Sequence, residues 1–108
     1  MILNIRNFDL NLLVIFDALM RERNVSRVAE KLALSQPAIS NALNRLRALL
    51  DDQLLVRTAQ GMQPTALALE LEGPIREAIQ QIEHTLTGRN QFDPATSKVR
   101  FRIATTDY

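Results

Sequence analysis

Side chains that could serve as nucleophiles, redox centres or soft metal ligands are scarce in this 108-residue sequence, which has no Cys and a single histidine, His84. A metal needs several ligands at fixed spacing, and His84 sits in a helix without another ligand type at metal spacing. With three glycines in all, the sequence has no Gly-rich loop to cradle phosphate. The carboxylates are scattered over outward helix positions, so no acid–base pair converges. No catalysis, no metal and no cofactor is expected, and His84 reads as a surface residue. What remains is a run of amide, hydroxyl and guanidinium groups: Gln36, Ser40, Asn41, Asn44, Arg45 and Arg57. Amides can bond bidentately to adenine, and guanidinium groups to guanine or phosphate.

Those groups need a helix to hold them. Taking 100° per residue from a cap at Ser35, residues Ile39, Ala42, Leu43, Leu46 and Leu50 share one face. Pro37, Ser40, Asn41, Asn44 and Arg45 share the opposite one, with Gln36 at the tip. Pro37 falls in the first turn, where a missing N–H costs nothing. The N-terminus adds a favourable dipole and N–H groups for an anion. Upstream, Asp9 caps a first helix with Leu12, Leu13, Phe16, Leu19 and Met20 at three- and four-residue spacing, ending near Asn24. Ser26 caps a short second helix, with Val28, Ala29 and Leu32 inward and Arg27, Glu30 and Lys31 outward, closed by the turn Ala33-Leu34.

Downstream, Leu54 to Thr58 reads as a strand, Gln60-Gly61 as a turn and Met62 to Thr65 as the returning strand. Thr65 caps a fourth helix whose positions Leu71, Ile75, Ala78, Ile82 and Leu86 approach a coiled-coil seam. Pro74 within it predicts a kink or local break, and Gly88-Arg89-Asn90 its end. Beyond a linker, Val99, Phe101 and Ile103 alternate with Lys98, Arg100 and Arg102, the pattern of a strand with one buried face. A strand without partners is expected to open a second domain that lies outside this sequence. The fold class is mainly α: a winged helix-turn-helix over residues 8–65 (the two-helix motif about 25–45), a linker and dimerisation helix over 66–88, and a linker plus first strand over 89–108.

The formal net charge of +1 hides an asymmetry. From Arg21 to Arg57 stand seven basic and four acidic residues; from Thr65 to Thr87 Arg76 faces Glu70, Glu72, Glu77 and Glu83. An acidic phosphate backbone is expected to meet the first segment and avoid the second. No secretory leader and no uncharged membrane-length stretch is visible. A soluble, cytoplasmic protein is expected, with no membrane partner.

The run Val25-Ser26-Arg27-Val28-Ala29-Glu30-Lys31-Leu32-Ala33-Leu34-Ser35-Gln36-Pro37-Ala38-Ile39-Ser40 resembles the helix-turn-helix of LysR-type transcriptional regulators. The resemblance continues through Leu54-Leu55-Val56-Arg57 and Pro64-Thr65 and covers about the first 88 residues. Ser40 to Arg47 is similar to the branch containing regulators of aromatic degradation and of nodulation. Leu46-Arg47 stands where the family usually has Leu-Glu, a charge change expected to bear on phosphate contacts. Thr65-Ala66-Leu67-Ala68 replaces its usual Thr-x-x-Gly. The resemblance implies that the third helix enters the major groove of double-stranded DNA, that Gln36, Pro37, Ser40 and Asn41 contact bases or sugar-phosphate, and that Arg57 acts from the wing. It also implies a homodimer through helix four, at Leu71, Ile75, Ala78 and Ile82, with higher assembly left open. A small-molecule effector would act only through the missing domain.

Polar helix positions such as Gln36, Ser40 and Asn41 are most often a plain solvated face; the capped two-helix setting favours DNA. Arg45 fits a phosphate as well as a base. The expected function is a sequence-specific, dimeric transcription regulator. The alternatives are a nucleoid-type DNA coater and a helical protein-interaction module, the second disfavoured because the outer face carries no aromatic or aliphatic anchor.

Overall fold

In a computed structural model of the chain, residues 5–91 are described. A short 3-10 turn, Ile5–Asn7, leads into α1 (Leu10–Glu22), α2 (Val25–Leu32), α3 (Gln36–Leu50), β1 (Leu55–Thr58), β2 (Gly61–Pro64) and α4 (Ala66–Gln91). One compact unit runs through Ile75 and a second begins at Arg76. The strand expected over Lys98–Thr105 lies outside the described residues.

The helix starts follow side-chain capping. Asp9 accepts from the Asn11 N–H at 2.9 Å, Ser35 from the Ala38 N–H at 3.2 Å and Thr65 from the Ala68 N–H at 3.2 Å. Each satisfies a donor that the first turn leaves without an intrahelical partner. The second helix departs from expectation. Asn24 caps it, accepting from the Arg27 N–H at 3.0 Å, so α2 begins one residue before Ser26 and α1 stops at Glu22 rather than near Asn24. With Arg23 turned into the left-handed region, the chain leaves only Asn24 in the extended backbone that a cap needs.

The first unit is built on the apolar faces of these helices. Phe16 and Leu19 of α1, Val28 of α2, and Ile39 and Leu46 of α3 are fully buried together with Leu54, Leu55 and Ala68. Fully burying each large aliphatic or aromatic side chain is worth about 1.5–3 kcal/mol, so this set orients α3. Ile15, absent from the expected face of α1, is buried as well, while Leu13 is only half-buried. The inward set of α3 is as expected, except that Leu50 stays half-buried.

The hairpin is antiparallel, with Leu55 opposite Pro64 and Thr58 opposite Gly61. Its turn is Ala59-Gln60, one residue earlier than expected, because Gly61 takes φ +100°, a conformation open to glycine, and starts the return strand. Leu54, expected in the strand, has φ +66° and lies just outside it. Its N–H donates to Asp52 Oδ2 at 2.8 Å, and its carbonyl accepts from the Thr65 N–H at 2.9 Å. The same Asp52 oxygen accepts from the Thr65 hydroxyl at 2.6 Å, so one carboxylate ties the entry of the hairpin to the cap of α4.

Helix α4 passes Pro74 without the expected break and continues to Gln91, beyond Gly88. Pro74 forfeits one bond to the Glu70 carbonyl, but both residues are exposed, so water can serve that carbonyl. Before Ile75 the helix adds Ala68 to the core, with Leu67, Leu71 and Ile75 packed against it. No helix among the described residues is long and apolar enough to cross a membrane.

Candidate nucleic-acid interface

The outer face of α3 is open. Gln36, Pro37, Ser40, Asn41, Asn44 and Arg45 are all exposed, as is Arg57 on β1. Gln36, Asn41, Arg45 and Arg57 make no side-chain hydrogen bond or ion pair among the described residues. At the tip of α3, Ser35 holds the Ala38 N–H and Pro37 has none, so the anion-seeking donors expected there reduce to the N–H and side chain of Gln36.

These residues divide between the two flanks of the helix. On the wing side, Gln36 and Arg57 line a shallow cleft with Arg23, Ser26 and Met62. An adjoining cleft is lined by Ser40, Asn44, Arg47, Arg57 and Met62. Neither has an acidic residue in its lining. On the other flank Asn41 and Arg45 share a cleft with Asn11, Leu34 and Asp9, a carboxylate supplied by the cap of α1. The wing side is therefore the better place for phosphate, and Asn41 and Arg45 face a more mixed environment.

Several cations counted in the basic segment are already engaged. Lys31 Nζ donates to Glu22 Oε2 at 2.7 Å, and this bond, followed by the charge of Lys31, holds the Glu22 carboxyl below the usual carboxylate range. Arg21 pairs with Asp17 at 3.2 Å. Arg47, expected to bear on phosphate, turns inward instead. Its Nε donates to the Gln53 carbonyl at 2.8 Å, Nη2 to the Leu55 carbonyl at 2.7 Å and Nη1 to Asn44 Oδ1 at 3.1 Å. Sequence reasoning missed this role because the partners are backbone carbonyls across a loop, which no spacing rule reports. It also missed Arg23, which reaches the wing-side cleft through the left-handed turn between α1 and α2.

The seam residues differ among themselves. Leu71 and Ile75 are half-buried against the core of the first unit, whereas Ala78 and Ile82 are exposed.

Residues 10–69, from the start of α1 into α4, match the family model described as bacterial regulatory helix-turn-helix protein, lysR family. The chain belongs to that family. Among curated relatives, this LysR-family chain is 49% identical over 105 residues to the HTH-type transcriptional activator NagR of a Ralstonia species, covering 97% of the chain and 35% of that protein. It is 47% identical over 103 residues to nodulation protein D 1 of Bradyrhizobium sp. (strain NC92), covering 95% of the chain and 33% of the relative. It thus spans about a third of these relatives' length. Among solved structures it is similar to a probable transcriptional regulator from Pseudomonas aeruginosa, with a TM-score of 0.74 and 44% identity over 86% of this chain and 31% of that one. It also shares the fold of the BenM DNA-binding domain solved in complex with catB site 1 DNA, with a TM-score of 0.70 at 22% identity over 74% of this chain and 90% of that one. The winged helix-turn-helix is therefore the LysR-family fold, and the chain carries the helix-turn-helix part of a protein of that family.

Proposed function

We propose that α3 reads base edges in the major groove for a sequence-specific transcription regulator, with Gln36, Ser40 and Asn41 as readers, Pro37 letting the backbone come close, Arg45 on the phosphate or an outer base, and Arg57 acting from the wing. The observation that carries this reading is the open outer face of α3, where amides and a hydroxyl stand exposed and Gln36 and Asn41 are uncommitted. Buried apolar contacts hold the other face, so the readers sit on a rigid support. A two-fold pair of such domains would place two α3 helices about one helical turn apart, roughly 34 Å, on an interrupted inverted repeat. Pairing through α4, at Leu71, Ile75, Ala78 and Ile82, would supply the two-fold. Response to a small effector would come from the part of the relatives' length that this chain does not span.

The test is selection of bound duplexes from a random pool, followed by affinities of Gln36→Ala and Asn41→Ala for the selected and a scrambled duplex. Each variant is expected to lose about 1–3 kcal/mol on the selected duplex and much less on the scrambled one. An unchanged ratio in folded variants would remove α3 as the reading element. A parent chain that binds every duplex alike would instead be a nucleoid-type coater.

A further inference from the structure

We propose that Arg47 is a positioning residue that locks the wing to the recognition helix and turns Asn44 into a donor aimed, with Arg57, at one stretch of phosphate backbone. The inference rests on the DNA-binding reading above and adds residues that reading does not use. Arg47 lies in the last turns of α3 and bonds forward to the carbonyls of Gln53 and Leu55, the second of these the first residue of β1. Main-chain bonds run the same way: the N–H groups of Asp51 and Asp52 both donate to the Arg47 carbonyl. One residue therefore joins α3 to the start of the strand that carries Arg57 two positions later.

Its third bond decides the chemistry of Asn44. A guanidinium has only donors, so the Asn44 atom 3.1 Å from Nη1 is the amide oxygen, and the amide nitrogen is the atom left to face outward. An exposed Asn44 held this way presents its amide N–H donors outward while its oxygen is engaged by Arg47. Asn44 and Arg57 line the same cleft, with Ser40 and Met62 and without any carboxylate. A site that presents the donors of Asn44 and Arg57, positive charge and no carboxylate suits a phosphodiester oxygen.

The experiment uses this 108-residue chain and its selected and scrambled duplexes over a range of salt, with thermal melting as the check of folding. Asn44→Asp keeps the acceptor for Arg47 but replaces the outward donors by a carboxylate oxygen. It is expected to melt with the parent and to lose about tenfold in affinity on both duplexes, as a backbone contact does. Arg47→Met removes all three bonds, and in that background Arg57→Ala is expected to cost less than in the parent, a non-additivity that only coupling between the two produces. Arg47→Lys, able to keep one carbonyl but not the set, should fall between. Parent affinity in Asn44→Asp, or strictly additive losses for Arg47→Met and Arg57→Ala in folded proteins, would overturn the proposal. A loss in Asn44→Asp confined to the selected duplex would overturn the phosphate assignment in favour of base reading. Should Arg47→Met fail to fold, the Asn44→Asp arm decides alone. Loss of the proposed function itself has a different signature, a parent chain that binds neither duplex or prefers neither.

Discussion

Ala33 closes α2 with φ +56°, and Arg23 and Asp51 close α1 and α3 in the same left-handed region. For residues with a Cβ this conformation costs roughly 1–2 kcal/mol, and the helix–turn geometry is worth that cost because the Ala33 N–H then satisfies the carbonyls of Ala29 and Glu30. Ala33 is exposed and its side chain is only a methyl group. Ala33→Gly should therefore raise stability by about 0.5–1 kcal/mol after the extra freedom of the unfolded glycine is counted, read as a higher midpoint in urea. An unchanged or lower midpoint would show that the turn is not strained. At this scale the caps Asp9, Ser35 and Thr65 were legible, because each is a short acceptor just before an apolar periodicity. Asn24 was not, since Ser26 offers the same chemistry two residues later and only the left-handed Arg23 decides between them.

Among the elements, α1 to α3 were legible as amphipathic periodicities, and the hairpin as two short runs around a glycine. The residue-level register of the hairpin was not. It depends on Leu54, whose φ of +66° accompanies a bond to the Asp52 carboxylate two residues back and one from the Thr65 N–H across the hairpin, a pair of contacts that alternation of apolar residues does not report. Helix four shows another case: of the kink or break expected at Pro74, the break does not occur, since the lost bond falls at an exposed position and the helix continues. The seam proposed on that helix has an uneven composition. Leu71 and Ile75 already pack on their own core, so a charge at Ile75 would test folding as much as association. Ile82, 38% exposed, is the cleaner probe. Ile82→Glu should leave melting nearly unchanged and shift the chain toward monomer in sedimentation; a variant that stays dimeric would remove the seam.

For the whole molecule, binding strength is set by how many cations reach phosphate rather than how many the chain contains. The sequence count of seven basic residues between Arg21 and Arg57 overstates that number, because Arg21, Arg23, Lys31 and Arg47 are bonded within the protein. Arg57 and Arg45 are exposed without partners among the described residues. Arg57→Ala is therefore expected to weaken selected and scrambled duplexes by similar factors and to reduce the slope of log affinity against log salt by about one. A slope equal to the parent's would mean that the wing does not touch the backbone. A loss much larger on the selected duplex, above all an A·T-rich one, would mean that it reads a narrow minor groove.

The inward turn of Arg47 also bears on how specificity could be moved from one regulator to another. A recognition helix is commonly treated as an exchangeable part, and Gln36 to Leu50 would be the obvious piece to transplant. Here the last turns of that piece hold the loop at Gln53 and the first strand residue at Leu55. That loop's Asp52 in turn holds the Thr65 cap. A host given that piece would receive Arg47 with the outer face but not the Gln53 loop and Leu55 strand start that its guanidinium holds. The exchangeable cassette in this protein runs from Ser35 through Thr65, and chimeras cut inside it should bind weakly whatever their reading face.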